Sequence, residues 1–298
     1  MTPVSQELVR SPFRAPAAAH VGQVVIQVAD LDRSLVYYTG VLGFDVITQA
    51  RTRARLGAHG DDRVLVEIRE KRGVRPVPRR GLLGLYHFAV LVPSREDLGR
   101  ALVHFHDQAI SLGTADHLVS EALYLVDPDG LTIEVYRDRP RNEWQHRGSD
   151  LAMASDPIDA RGLIEAAGGR LFEGLPRGTT IGHMHFYVDD LDRAASFYDA
   201  GLGLDVTLRG FPGALFMSAG GYHHHVGTNT WAAGSPMATD DDAKLIEWEW
   251  VVPDKAAVDE TAASLTRAGF TVNETSSGVV AADPWQISVR VVPPKAAK

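Results

Sequence analysis

The stretch Val28–Val46, VADLDRSLVYYTGVLGFDV, decides the fold, because it returns 160 residues later as VDDLDRAASFYDAGLGLDV over Val188–Val206. Roughly half of the aligned positions are identical, which indicates an internal repeat rather than chance. A repeat at a fixed offset means that the chain is built from copies of one structural unit. The rest of the sequence is best interpreted as further parts of that unit.

Each copy predicts a strand followed by a helix. The strands are the alternating segments Gln23–Val28 and His183–Val188. Asp30 and Asp190 come next and are predicted helix N-caps, because an aspartate side chain can accept the unpaired N–H groups of a first helical turn. Apolar and aromatic residues then recur at helical spacing.

The helix of each copy is predicted to end at a glycine and to be followed by further strands. Gly43 and Gly203 lie where a left-handed helix stop is expected. Strands are predicted at Arg63–Ile68 in the first copy, and at Ala214–Ser218 and His223–Trp231 in the second. The repeating unit is therefore βαβββ.

Two weaker copies begin at His87 and Glu247. Both have a strand that ends in Val-Pro, then a cap, Ser94 or Asp254, and an amphipathic helix. The later strands of these copies are predicted at Ala122–Asp127, Leu131–Tyr136, Val279–Ala282 and Ile287–Val292. The chain is thus interpreted as four βαβββ modules.

The repeats also predict the domain organisation. Residues 1–19 are expected to form a loose N-terminal arm, and residues 20–140 hold modules one and two. Residues 141–178 are a linker with a short helix predicted at Ile158–Ala167, and residues 179–298 hold modules three and four.

Composition excludes several classes of protein. With 298 residues, 45% hydrophobic and 23% charged, the chain can bury a sizeable core, so it is neither disordered nor fibrous. A net charge of −8 argues against nucleic acid as a partner, and the lack of cysteine excludes disulfides and thiolate metal sites. We find no signal-peptide pattern and no apolar run long enough to span a membrane, so a cytoplasmic location is expected.

These motifs resemble a known superfamily. VADLDRSLVYYTGVLGF, its repeat and DPDGLTIEVY over Asp127–Tyr136 resemble the vicinal oxygen chelate proteins, which are glyoxalases, bleomycin-resistance proteins and extradiol dioxygenases. GLYHFAVLVPSREDL and GGYHHHVGTNTW resemble, more narrowly, the catechol-2,3-dioxygenase branch. The resemblance implies an α+β fold in which four βαβββ modules pair into two curved mixed sheets, one enclosing a divalent metal.

The resemblance also implies where metal ligands lie. In that superfamily they come from the start of each module's first strand and from a glutamate in its final strand. The first-strand positions are Gln23, His87, His183 and Glu247, and the final-strand positions are Glu134 and Arg290.

Charge then favours one way of pairing the modules. Pairing in chain order gives two poor metal sites, Gln23, His87 and Glu134 in one half and His183, Glu247 and Arg290 in the other. An arginine is always protonated and supplies no lone pair to a metal. Pairing module two with module three assembles His87, Glu134 and His183, a 2-His-1-carboxylate triad. We therefore predict that nested pairing, with modules one and four forming the other half. His185 is the rival ligand, because it shares a strand face with His183.

In the other half, Glu247 and Arg290 are expected to form a buried or half-buried ion pair. Such a pair would have a structural role.

The resemblance implies an Fe²⁺-dependent extradiol dioxygenase, with Mn²⁺ as the alternative ion, acting on a small aromatic diol and O₂. By family position, His225 is the acid–base group, and Tyr124 and His117 hydrogen-bond to the metal-bound oxygens. Glyoxalase-type isomerases usually add a carboxylate near Gly227–Thr230, yet no Asp or Glu occurs between positions 207 and 239.

Two other functions stay open. One is a metal-dependent lyase or isomerase that uses the same site with Zn²⁺, Ni²⁺, Co²⁺ or Mn²⁺, and the other is a non-catalytic protein that binds an aromatic drug. The histidines from His223 to His225 could equally form a solvated turn. Neither nucleic acid nor membrane is expected as a partner, and family habit implies a homo-oligomer.

Overall fold

The computed structural model describes residues 13–148 and 150–295. Module one consists of β1 (His20–Val28), α1 (Leu31–Leu35) with its π-helical continuation (Val36–Val41), β2 (Asp45–Ala50), β3 (Arg53–Gly57) and β4 (Val66–Glu70). Module two consists of β5 (Gly84–Leu91), α2 (Arg95–Asp107), β6 (Gly113–Asp116), β7 (Ser120–Val126) and β8 (Thr132–Asp138).

The connection that follows carries a 3-10 turn (Arg141–Glu143), the short strands β9 (His146–Arg147) and β10 (Asp150–Leu151), and α3 (Ala160–Ala167). Module three consists of β11 (Thr180–Tyr187), α4 (Leu191–Ala195) with a π-helical continuation (Ser196–Gly201), β12 (Asp205–Leu208), β13 (Ala214–Ser218) and β14 (Val226–Asn229). Module four consists of β15 (Lys244–Val251), α5 (Lys255–Arg267), β16 (Val272–Thr275), β17 (Gly278–Ala282) and β18 (Ser288–Val292). The predicted βαβββ order is confirmed in all four.

The modules combine into two eight-stranded mixed sheets. One has the order β16-β17-β18-β15-β1-β4-β3-β2 and joins modules four and one, and the other has the order β12-β13-β14-β11-β5-β8-β7-β6 and joins modules three and two. The first strands of the partner modules run antiparallel at the centre of each sheet. This is the α+β architecture expected from the sequence. The division of the chain at residues 140 and 178 stays a prediction.

Local signals in the sequence determine where the helices begin and end. The four predicted N-caps each accept a backbone N–H of the first helical turn, and they are Asp30, Ser94, Asp190 and Asp254. Gly43 and Gly203 have φ of +80° and +77°, a conformation that glycine adopts without strain. Both glycines therefore end their helices as predicted.

The structure shifts several predicted boundaries. The strand expected at Arg63–Ile68 is β4, which begins later and ends at Glu70. The helix expected at Ile158–Ala167 is α3, which begins at Ala160 because Asp159 is its N-cap and accepts the Gly162 N–H at 2.9 Å. The strand expected at His223–Trp231 is limited to β14, since the chain bends at residues 223 and 225.

The core lies where the helices pack against the two sheets and where the sheets meet. Its largest fully buried side chains include Trp248, Trp250, Tyr38 and Tyr198. The two tryptophans therefore fill a sheet face. Among the described residues, no helix combines the length and the apolarity needed to cross a membrane.

Part of the predicted N-terminal arm is packed on module three. Residues 1–12 lie outside the described residues. Arg14 forms an ion pair with Asp199 at 2.7 Å, and the Ala15 N–H donates to the Gly203 carbonyl at 2.9 Å. The arm is therefore not loose from residue 14 onward.

Candidate metal centre

Three side chains from two modules meet at the centre of the sheet that joins modules two and three. His87 comes from β5, Glu134 from the parallel neighbour β8, and His183 from the antiparallel neighbour β11. The Nε2 atoms of His87 and His183 lie 2.9 and 3.1 Å from Oε2 of Glu134. The three residues are only 2%, 1% and 1% exposed, so the cluster is buried.

The polar atoms of this cluster are poorly satisfied by protein partners. Both ring nitrogens of His87, Oε1 of Glu134 and Nδ1 of His183 are buried and have no hydrogen-bond partner among the described residues. The contact between His87 and Glu134 has an ion-pair distance but lacks hydrogen-bond geometry. Since buried polar groups are nearly always paired, these atoms need an additional partner.

A divalent metal ion fits this donor set. Each of the three residues offers a ligand atom, and these atoms all lie within 4.8 Å of one another. Two imidazoles and one carboxylate form the facial triad typical of non-haem Fe²⁺ sites. The predicted ligands His87, Glu134 and His183 are therefore brought together.

The electrostatics of the cluster give the protonation states that metal ligation requires. Burial lowers the pKa of His87 and of His183, which keeps both rings neutral near pH 7. Burial alone would raise the pKa of Glu134, but His183 and His87 hold it well below its usual range. Neutral imidazoles and an ionised carboxylate are the ligating forms.

A β-bulge at Gly182 positions His183. Ile181 pairs with Val90 and His183 with Ala89, so Gly182 is an extra residue in β11. A Cβ on Gly182 would lie 1.8 Å from the Tyr136 hydroxyl oxygen. Only glycine leaves room for Tyr136, whose ring packs on His183 with centroids 4.8 Å apart.

A second bulge brings Tyr86 into the same pocket. His87 pairs with His185 and Leu85 with Phe186, which leaves Tyr86 as the extra residue in β5. The centroid of its ring lies 4.6 Å from the ring centroid of His87 and 5.2 Å from that of His185. Strand alternation places Tyr86 on the opposite face from His87, so the sequence analysis missed it.

Tyr124 and His117, both predicted, lie together in the pocket. The Nδ1–H of His117 donates to the Ala154 carbonyl at 2.7 Å, which leaves Nε2 as its acceptor. The Tyr124 hydroxyl can therefore donate to His117 Nε2, 2.8 Å away. Tyr124 also pairs with Glu134 across β7 and β8. The hydrogen bond orients the Tyr124 hydroxyl beside the triad.

His185, the rival ligand, has a different partner. The Asn229 side-chain amide lies 3.0 Å from His185 Nε2, and its Oδ1 accepts the Trp231 N–H at 3.0 Å. This orientation makes the amide N–H the donor to His185. His185 is not part of the three-residue cluster.

Glycine occupies the position at which an isomerase-type fourth ligand is expected. His185 pairs with Gly227 across β11 and β14, as Ala89 pairs with Glu134 across β5 and β8, so Gly227 corresponds to Glu134. A Cβ at Gly227 would lie 3.0 Å from the His185 ring. His185 therefore fills the space that a side chain there would need.

The structure corrects the placement of the predicted acid–base histidine. His224, not His225, lines the pocket, and its ring lies 4.1 Å from that of His183. His225 points towards the other sheet, where its ring lies 5.2 Å from that of Trp250 and its Nδ1 accepts the Ala219 N–H at 3.2 Å. Strict alternation from β14 would place His225 beside Gly227, but the bends at residues 223 and 225 interrupt it.

A buried chain of hydrogen bonds orients His224. Nε2 of His223 donates to Asp138 Oδ1 at 2.9 Å, and Nδ1 of His223 lies 2.7 Å from Nδ1 of His224. One hydrogen bond joins the two Nδ1 atoms, so Nδ1 of His224 is occupied by His223. Burial holds the pKa of His224 well below its usual range. Its Nε2 is the ring nitrogen that is left for a group in the pocket.

The pocket around the triad has a volume of about 140 Å³. Apart from the aromatic rings already described, its walls include Ala115, Met153, Phe211, Phe216 and Trp231. Met153 and Phe211 pack on the small apolar cluster of Leu208, Ala214 and Phe216. The linker and module three therefore contribute the outer part of the pocket.

The corresponding positions of the other sheet hold ion pairs. Arg290 donates two hydrogen bonds to Glu247, at 2.7 and 2.8 Å, and both side chains are half-buried, which confirms the predicted pair. The Gln23 N–H donates to Glu249 Oε2 at 3.2 Å.

Glu67 occupies the position in β4 that Glu134 has in β8, and the sequence analysis missed it. Arg55 and Arg69 each contact Glu67 at 2.7 Å. Glu67 and Glu247 are therefore each neutralised by arginine, whereas Glu249 contacts Lys295 at 3.5 Å.

Four βαβββ modules paired into two sheets, with a histidine–carboxylate cluster on one of them, define a protein of the vicinal oxygen chelate class. The family model of the Glyoxalase/Bleomycin resistance protein/Dioxygenase superfamily matches residues 20–135 and 180–282. The chain belongs to this superfamily.

Individual relatives support this assignment. The chain is 41% identical to the catechol-2,3-dioxygenase of Bacillus subtilis (strain 168). The alignment spans 269 residues, which is 89% of this chain and 94% of the relative. A solved Bacillus subtilis structure, provisionally named a dioxygenase, matches 94% of this chain and 86% of its own with a TM-score of 0.65 and 13% identity. Glyoxalase I from Zea mays matches 93% of this chain and 92% of its own, with a TM-score of 0.55 and 15% identity. The two solved structures show the fold alone.

Proposed function

We propose that the protein is an Fe²⁺-dependent extradiol dioxygenase that opens the ring of a catechol-type aromatic diol with O₂. The observation that carries this proposal is the convergence of His87, Glu134 and His183 in a buried aromatic pocket. The 41% identity to a catechol-2,3-dioxygenase supports the same reaction. Fe²⁺ is proposed as the ion, with Mn²⁺ as the alternative.

His87, Glu134 and His183 would hold the ion. Two neutral ligands and one anion leave a divalent ion with a net charge of about +1 and open coordination positions. Such an ion supplies the electron transfer between a bound diol and O₂ that an organic side chain cannot provide. The protein contributes a position for the diol beside the ion, in a pocket lined largely by aromatic rings.

The protein's own residues would handle protons and orientation. Nε2 of His224 can accept a proton from a diol hydroxyl and return it later, since its Nδ1 is occupied by the bond to His223. The Tyr124 hydroxyl, held by His117, can hydrogen-bond to an oxygen beside the triad. Tyr86 offers an aromatic wall, and its own ring is supported by Tyr187, with centroids 4.5 Å apart.

The isomerase alternative is disfavoured by a specific position. Gly227 stands where a second carboxylate would complete a four-ligand site, and His185 already fills the adjacent space. A drug-binding protein without a metal is disfavoured by the unpaired polar atoms of the triad. Burying a histidine–glutamate cluster against a purely apolar ligand would leave those atoms unsatisfied.

Metal analysis followed by oxygen uptake separates these functions. Protein purified anaerobically should carry iron, and after it is loaded with Fe²⁺ to one ion per chain it should consume O₂ when catechol is added, with a yellow ring-opened product. A bound ion other than iron with no O₂ consumption would favour the isomerase. The absence of any bound metal would favour the binding protein.

A cytoplasmic location, a homo-oligomeric assembly and the absence of nucleic-acid and membrane partners stay predictions.

A further inference from the structure

The pocket has a buried floor and an exposed mouth. The floor is the triad of His87, Glu134 and His183, of which each residue is at most 2% exposed. At the mouth, Trp231 is 51% exposed and Ser155 is exposed as well. A diol whose hydroxyls reach the floor therefore directs the opposite edge of its ring, with any substituent there, towards Trp231 and Ser155.

The size of the pocket matches a single aromatic ring. Its volume of about 140 Å³ is close to that of the engineered protein cavity of about 150 Å³ that binds benzene. A ring that fills the pocket brings its substituent against the outer walls, which are Met153, Phe211 and Trp231.

These outer walls provide no positive charge. Among the described residues that line the pocket, none is lysine or arginine, and Glu134 is the only carboxylate. Arg137 in β8 is paired with Glu121, and Arg139, just after β8, is paired with Asp116.

We infer that the pocket selects single-ring catechols whose ring substituent is uncharged, and rejects those that carry a carboxylate on the ring. This inference rests on the proposed function and specifies its substrate class. A ring carboxylate loses part of its water where it contacts Met153, Phe211 and Trp231, and it finds no lysine or arginine there in return. An alkyl group loses no hydrogen bonds there and gains apolar contact.

Three matched ligands test the inference. Catechol is the reference, and 3,4-dihydroxybenzamide and 3,4-dihydroxybenzoate differ in charge but hardly in shape. Anaerobic calorimetry with the Fe²⁺-loaded protein gives the dissociation constants, and O₂ uptake gives kcat/KM. We expect binding and kcat/KM to be at least about tenfold weaker for the acid than for the amide, because an unpaired charge is partly desolvated. Equal or tighter binding of the acid would overturn the inference.

A variant of the mouth tests the electrostatic cause. Ser155→Lys introduces a cation, and Ser155→Gln is its uncharged control of similar length. The ratio of kcat/KM for the amide to kcat/KM for the acid should be at least about threefold smaller in the lysine variant than in the glutamine variant. An unchanged ratio in two folded variants would contradict the electrostatic cause. The wild-type calorimetry decides the question if either variant fails to fold.

Failure of the proposed function gives a different result. In that case none of the diols, catechol included, would support O₂ uptake, while calorimetry would still rank the amide against the acid. Uptake with all three diols and a preference for the acid would leave the dioxygenase standing and remove only the inference.

Discussion

Replacing His224 by alanine should separate catalysis from metal binding. His224 lines the pocket with its ring 4.1 Å from that of His183, but it is not one of the three clustered residues. Acid–base assistance by a positioned side chain contributes about 10²- to 10⁴-fold to a rate, or about 3 to 5 kcal/mol of activation free energy. We therefore expect His224→Ala to lose about 10²-fold or more in kcat with catechol while it keeps one metal ion per chain.

His225→Ala is the matched control, because the two histidines are adjacent and similarly buried. It removes the acceptor of the Ala219 N–H and a contact with Trp250, so it should lower the free energy of unfolding by about 1 to 3 kcal/mol. It should not lower kcat, since His225 faces away from the pocket.

The assay is O₂ uptake at a temperature where circular dichroism shows both variants folded, with metal content measured on the same samples. Full turnover by His224→Ala would refute the assignment. An equal loss in both variants would refute the reasoning that separates the two side chains.

Three further predictions concern other buried residues. Glu134→Ala should abolish binding of Fe²⁺ in equilibrium dialysis, because it removes the only anionic ligand, and stoichiometric iron in this variant would contradict the ligand set. Tyr124→Phe should keep the metal but lower kcat/KM about 10- to 100-fold, because the hydroxyl held by His117 is lost, and wild-type kinetics would exclude that role. Burial raises the pKa of Asp127 to about 7, so the folded state binds more protons than the unfolded state between about pH 4 and pH 7. The free energy of unfolding should therefore be highest below about pH 4 and should fall as the pH rises to about 7. Asp127→Asn should remove this fall, which is at most about 4 kcal/mol, and parallel urea-unfolding stabilities of variant and wild type across that range would contradict it.

Much of the fold was predictable because its signals are local. Asp30 and Asp190 each cap a helix through their own side chain, and Gly43 and Gly203 end the helices with their own backbone. The pairing of the modules is not local, yet charge and ligand chemistry favoured the nested arrangement that the two sheets show. Arg290 was the informative residue, because an arginine cannot serve as a metal ligand.

The residues that were missed depend on register. Tyr86 enters the pocket only because β5 contains a bulge opposite β11, and a bulge is decided by the pairing of two distant strands. His224 replaces His225 in the pocket because the chain bends before β14 begins, which ends the two-residue alternation. Glu67 was missed although it lies within the strand predicted at Arg63–Ile68, because its equivalence to Glu134 depends on how β4 pairs with β1. In each case, the composition of the segment indicated a strand, but only its partners determined which side chain faces the site.

Anomalous diffraction from crystals of the Fe²⁺-loaded protein tests the central claim most directly. We predict one iron peak per chain, with a nitrogen of His87, a nitrogen of His183 and an oxygen of Glu134 each about 2.0 to 2.3 Å from it. An iron peak bound by other residues, or an occupied site from which any of these three side chains is absent, would contradict the account.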